Sequence, residues 1–251
     1  MAGHSKWSKV KRIKGVLDAR RGKLFSKLSK EITVAAKLGG GNPDFNPRLR
    51  AAIQAAKNQS MPNDNIERAI KKGTGELEAD ALEEITYEGY GPDGVPFLIE
   101  TATDNKNRTA SELRSLFHKH GGNLASSGSV AYLFHRKGII LIPAEGFSED
   151  QILEAALDAG AEELFQEDDT FKILTPPDQL YSVAEKLRNA SLPISETKLT
   201  FVPEIMNTIS DEPTARRLLH FCDALEDCED VLQFHSNFDI ATSLLNTLSE
   251  E

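Results

Sequence analysis

Residues 1–37 carry Lys6, Lys9, Lys11, Arg12, Lys14, Arg20, Arg21, Lys23, Lys27, Lys30 and Lys37, eleven cations against the two acids Asp18 and Glu31. Cations this dense neutralise phosphate, and an indole among them can stack on a base while its neighbours hold the backbone. Trp7, the sole tryptophan, sits in that position between Lys6 and Lys9. The predicted nucleic-acid contacts are therefore Lys6, Trp7, Lys9, Lys11, Arg12, Lys14, Arg20, Arg21, Lys23, Lys27 and Lys30, with Arg48 and Arg50 extending the patch. Docking of this basic segment onto an acidic part of the same chain is the competing use of its charge. A second candidate is the loop Thr103, Asp104, Asn105, Lys106, Asn107 and Arg108, between a strand end and a helix start. Backbone N–H groups collect there, and an anion or RNA contact fits; the same residues also read as caps and turns.

Other motifs carry less. Gly89-x-Gly91-x-x-Gly94 has the spacing of a dinucleotide fingerprint, but a strand rather than a helix follows it, so it reads as a hairpin turn. His118 and His120 are two residues apart, the wrong spacing for ligands on one helix face, and Cys222 and Cys228 lack a partner histidine pair. No metal or cofactor site is expected, and with no nucleophile elbow or phosphate-loop lysine the protein reads as a non-enzyme. The acid runs at 167–169 and 226–230 read as solvated faces or turns.

The elements that must position these groups follow from periodicity. A helix is predicted over 16–38, with Phe25, Leu28, Ile32 and Ala35 on its buried side. Lys23, Lys27, Lys30 and Lys37 keep the same period roughly 150° away, which would present a row of ammonium groups to solvent. Asn46-Pro47 opens a second helix to 58, and Asn63 or Asp64 a third that stops at Gly73. Strands at 84–88 and 95–101, a helix from Asn107 or Thr109, and a strand at 129–135 come next. A strand at 138–142, a helix from Ser148 to Gly160, a hairpin at 163–174, a helix at 176–190 and a strand at 198–202 have the order of a ferredoxin-like split βαβ unit. A helix from Pro213 and a strand at 231–234 would complete the earlier half-sheet. The expected fold class is α+β with three domains: a basic helical domain, 1–80, and two ferredoxin-like α/β domains, 81–136 plus 204–251 and the inserted 137–203.

Charge sharpens this division. Up to Lys72 there are 17 basic and 5 acidic residues, so an overall charge of −10 leaves the remainder at −22, a surface that repels nucleic acid. No apolar run nears the ~18 residues of a membrane span. Two cysteines suit a reducing cytoplasm.

Met1-Ala2-Gly3-His4-Ser5-Lys6-Trp7, Asp18-Ala19-Arg20-Arg21-Gly22-Lys23-Leu24-Phe25, Asn46-Pro47-Arg48-Leu49-Arg50, Asn65-Ile66-Glu67-Arg68-Ala69-Ile70, Tyr87-Glu88-Gly89-Tyr90-Gly91, the stretch from Thr103 to Thr109, and Gly128-Ser129-Val130 together resemble the YebC/PmpR family. The resemblance implies a three-domain bacterial cytoplasmic protein that acts in gene expression without catalysis or cofactor. It implies a DNA-binding transcriptional regulator or, alternatively, a ribosome-associated translation factor that binds ribosomal or transfer RNA and relieves stalling at proline-rich stretches. The expected partners are duplex DNA or ribosomal RNA, with the ribosome as a further one and no membrane; oligomeric state stays open. No helix-turn-helix with base-reading side chains stands out, and lysine-dominated contacts position more than they specify.

Overall fold

The computed structural model describes residues 17–78, 81–167, 169–241, 244–245 and 248, with side chains described from Arg21 onward. The chain divides into two compact units, one made of residues up to Phe134 together with those from Pro203 on, the other of His135–Val202.

The first unit opens with α1 (Leu17–Gly39), α2 (Pro47–Asn58) and α3 (Asn63–Thr74). Asn46 caps α2 by accepting from the Leu49 N–H, while its amide donates to the carbonyls of Ala35 and Gly40. One buried side chain thus fixes where α1 ends and α2 begins. Around Ile32, Leu49, Met61 and Ile66 the core is filled by Ala35, Ala36, Ala52, Ala56 and Ala69, small side chains that let the helices cross closely. At Gly73 a Cβ would lie 2.3 Å from the Thr33 carbonyl oxygen. Gly73 therefore belongs to the crossing, and α3 ends instead at Gly75, in the left-handed region at φ 81°.

β1 (Glu83–Tyr90) and β2 (Pro96–Thr103) form an antiparallel hairpin around a short 3-10 turn at Pro92–Gly94, so Gly89-x-Gly91-x-x-Gly94 is a hairpin sequence. Two of its glycines serve packing, since a Cβ at Gly89 would meet the Phe117 ring and one at Gly91 the Phe97 ring, each at 2.6 Å, while Gly94 takes the left-handed φ of 74° in the turn. α4 (Lys106–Lys119) leads to β3 (Asn123–Ala125), which pairs with β1. Here the structure corrects the sequence reading, which put a strand at 129–135. Buried Glu88 accepts the backbone N–H groups of Gly128, Val130 and Ala131, and the Tyr90 hydroxyl donates to the Ser129 carbonyl. Donors that a ladder would need are used by a carboxylate, and the chain there is a loop and a 3-10 turn.

The second unit holds most of β4 (Phe134–Pro143), then α5 (Glu149–Ala159), β5 (Glu163–Glu167), β6 (Thr170–Thr175), α6 (Leu180–Asn189) and most of β7 (Glu196–Pro203). Its sheet order, β5-β6-β4-β7, is the ferredoxin-like arrangement. Ser148 and Gln151 form a capping box on α5, and Ile140, Ile142, Ile152, Phe171, Ile173 and Val183 fill the core. α6 starts later than expected because 176–179 form a turn.

The chain then returns to the first unit through β8 (Asn207–Ile209), α7 (Glu212–Asp227), β9 (Val231–Ser236) and β10 (Phe238–Ile240). β9 joins the edge of β2, giving the order β3-β1-β2-β9; β8 and β10 pair in parallel. Behind the larger sheet, Phe221 of α7 meets Phe97 and Phe117 edge-on at centroid distances of 4.9 and 4.8 Å. Cys222 and Cys228 are buried in the same core.

Candidate nucleic-acid interface

The lysine row of α1 does not stand free in solvent as its spacing suggests. Lys23 Nζ lies 2.8 Å from Asp227 Oδ1, and Lys30 Nζ lies 2.7 Å from Asp230 Oδ1 while donating to the Glu229 carbonyl. Between them, burial pulls the Lys27 ammonium down to about 8, with Glu226, Cys228 and Asp227 acting in the opposite sense. Lys37 donates to the Leu82 carbonyl. The complement of this row is the acid run 226–230, which the sequence reading treated as a solvated turn. It is the end of α7 and its link to β9, and it packs on α1.

Asp230 is the centre of this contact and only 4% exposed. Besides Lys30 on Oδ1, its Oδ2 accepts from Thr109 Oγ1 at 2.7 Å, Arg108 Nη2 at 2.9 Å and Thr103 Oγ1 at 3.1 Å. Burial alone would raise this carboxyl, but donation from Lys30, Thr109 and Arg108 outweighs it and holds the group well below the usual carboxylate range. The loop before α4 therefore does hold an anion, and the anion is a side chain of the same protein. Asn105 caps α4 by accepting from the Arg108 N–H, so the helix starts at Lys106, ahead of the expected Asn107 or Thr109. Asp104 pairs with Arg108 at 2.7 Å, while Lys106 and Asn107 are exposed.

One wall of a cleft of about 830 Å³ is formed by this cluster. Ser26, Ser29 and Lys30 of α1 line a second side, and Asn65, Arg68 and Lys72 of α3 a third. Thr33 Oγ1 closes the floor between α1 and α3 by donating to the Ala69 carbonyl.

Residues 5–76 match the family model described as the TACO1/YebC protein N-terminal domain, and residues 82–238 the one described as the TACO1/YebC second and third domain. The chain belongs to the TACO1/YebC family. A protein of Persephonella marina named "Probable transcriptional regulatory protein" is 50% identical over 250 residues, covering 99% of this chain and 100% of its own. One of the same name from Aquifex aeolicus is 51% identical over 98% of both chains. A crystal structure of a conserved hypothetical protein from Aquifex aeolicus superposes with a TM-score of 0.81 at 51% identity, over 89% of this chain and 92% of the other.

In this TACO1/YebC-family chain the remaining predicted residues divide by partner. Arg48 contacts Glu31 at 2.9 Å and Glu84 at 2.6 Å, joining α1 and α2 to β1 rather than extending a phosphate patch. The Arg50 guanidinium donates to the carbonyls of Pro43 and Asp44. Arg21 is exposed, its guanidinium 5.4 Å from the Phe25 ring centroid. Lys6, Trp7, Lys9, Lys11, Arg12 and Lys14 lie outside the described residues, as does the side chain of Arg20. Sequence reasoning passed over Lys57, Arg68, Lys71 and Lys72. All four are exposed, and among the described residues none has an acidic partner. The signal was present: with Ile66, Ala69 and Ile70 turned inward, the period of α3 leaves 68, 71 and 72 on its outer side.

Proposed function

We propose that this TACO1/YebC-family protein is a non-enzymatic, nucleic-acid-binding regulator of gene expression, with contact to duplex DNA in transcriptional control as the first reading. The observation that carries it is the set of exposed cations Lys57, Arg68, Lys71 and Lys72 on α2 and α3, with no acidic partner among the described residues, in a segment with net charge +12. The names of the relatives agree with it. Lys6, Trp7, Lys9, Lys11, Arg12, Lys14, Arg20 and Arg21 supply the remaining phosphate contacts, whereas Lys23, Lys27, Lys30 and Arg48 serve internal contacts.

A second reading, a ribosome-associated translation factor on structured RNA, has an observation of its own. α2 and α3 are joined through residues 59–62, yet the exposed first turns of α3 present Asp64 and Glu67. A recognition helix reads base edges with its N-terminal residues, and carboxylates there meet phosphate unfavourably. Binding through the cations alone grips a backbone without reading sequence.

Competition between purified ribosomes and promoter-length duplex DNA for the full chain, at near-physiological salt, separates the two. Preference for one DNA sequence over random duplex supports transcriptional control. Preference for ribosomes supports the translation factor, and binding to neither refutes both.

A further inference from the structure

The cleft between α1, α3 and the start of α4 is lined by four acids, Asp104, Glu112, Glu229 and Asp230, and by four cations, of which the two on α3 pair with none of these acids. Lys30 and Arg108 are held by Asp230, and Arg108 also by Asp104. On the α3 wall, Arg68 and Lys72 stand one helical turn apart with no acidic partner among the described residues, and Asn65 precedes Arg68 on the same face. Across from them, Ser29 of α1 adds a hydroxyl. Two cations, an amide and a hydroxyl converge on one space, a combination that suits the oxygens of a sugar-phosphate chain. The walls are fixed in advance, because Asp230 ties α1 to α4 through Lys30, Thr109 and Arg108. A pre-organised cleft loses less on binding.

We infer that this cleft takes the backbone of an unpaired nucleic-acid strand, with Arg68 and Lys72 on the phosphates and Asn65 and Ser29 on phosphate or sugar oxygens. The volume, about 830 Å³, is that of a small-ligand site and suits a few nucleotides of one strand, whereas a paired stretch of the same length carries a second strand that this space does not also hold. The inference rests on the reading of the protein as a nucleic-acid binder and adds which form of nucleic acid enters this site.

The test is fluorescence anisotropy with the full chain, using a labelled unpaired octanucleotide and a duplex of the same sequence. Two variants remove equal charge: Arg68→Gln/Lys72→Gln inside the cleft and Arg114→Gln/Lys119→Gln outside it. All four positions are exposed, and circular dichroism checks that both variants fold. The expected result is about a tenfold or greater loss of single-strand affinity in the cleft variant, against less than about threefold in the outer one, a difference of more than about 0.7 kcal/mol. Equal losses in the two variants, or displacement of the strand by inorganic phosphate as readily as by unlabelled strand, overturn the cleft assignment while leaving the binding function standing. Failure of the unaltered chain to bind any nucleic acid overturns both.

Discussion

At the level of single residues, Asp230 is held from four directions. It receives two cations and two hydroxyls in a nearly dry setting, and removing it strands Lys30, which is itself largely buried. Asp230→Ala is expected to cost about 3 kcal/mol in urea unfolding. The folded carboxyl gives up its proton more readily than the unfolded one. Its stabilisation is therefore complete above the unfolded value of about 4 and is lost as pH falls towards the folded one, so Asp230→Asn should show a smaller acid-side loss than the unaltered protein. Lys27 works in the other direction on the alkaline side. Its ammonium sits at about 8 in the fold against 10.5 ordinarily, so the unfolded chain binds the extra proton and stability rises from pH 8 upward. From pH 9 the Cys228 thiol, pushed up by burial from 9.0 to about 11, opposes that rise. A gain confined to roughly pH 8 to 9, and absent in Lys27→Met, is the expected pattern.

At the level of elements, the helices were legible in the sequence because their signals are local. Asn46-Pro47, Ser148 with Gln151, and the apolar periods of α1 and α7 act within a turn or two, and the observed caps follow from them. The 129–135 region was misread because its deciding partner, Glu88, lies some forty residues away on β1, and no local propensity reveals a carboxylate that accepts three backbone N–H groups. Burial would raise Glu88, yet donation from Val130, Gly128 and Ala131 lowers it. Glu88→Ala should therefore cost about 2 kcal/mol by leaving buried donors unmet, read by urea unfolding. Gly73 gives a prediction of opposite sign to propensity. An exposed helical Gly→Ala change normally stabilises by up to about 1 kcal/mol. Here the added methyl would meet the Thr33 carbonyl at 2.3 Å and the Ala36 methyl at 2.7 Å, so Gly73→Ala should destabilise by about 1 to 3 kcal/mol through a forced separation of α1 and α3.

At the level of the whole molecule, charge was legible as a sum and illegible as a map. The sequence places +12 in one segment and −22 in the rest, and it names attraction between them as one use of the lysines. It cannot show that Lys23 and Lys30 are matched to Asp227 and Asp230 some 200 residues on, because that pairing exists only once β9 has joined β2. The same folding step brings the loop at 103–108, the second candidate site, against the first, with Asp230 as the shared anion. Lys57, Arg68, Lys71 and Lys72 on α2 and α3 are outside this pairing.

The α1 lysines hold the protein together while other cations meet phosphate. The salt dependence of duplex binding tests it directly, since each lost phosphate contact reduces the slope of log K against log salt by about 0.9. Lys23→Gln/Lys30→Gln should lower unfolding stability and leave that slope unchanged. A slope smaller by about two in this variant, with stability unaltered, would contradict it.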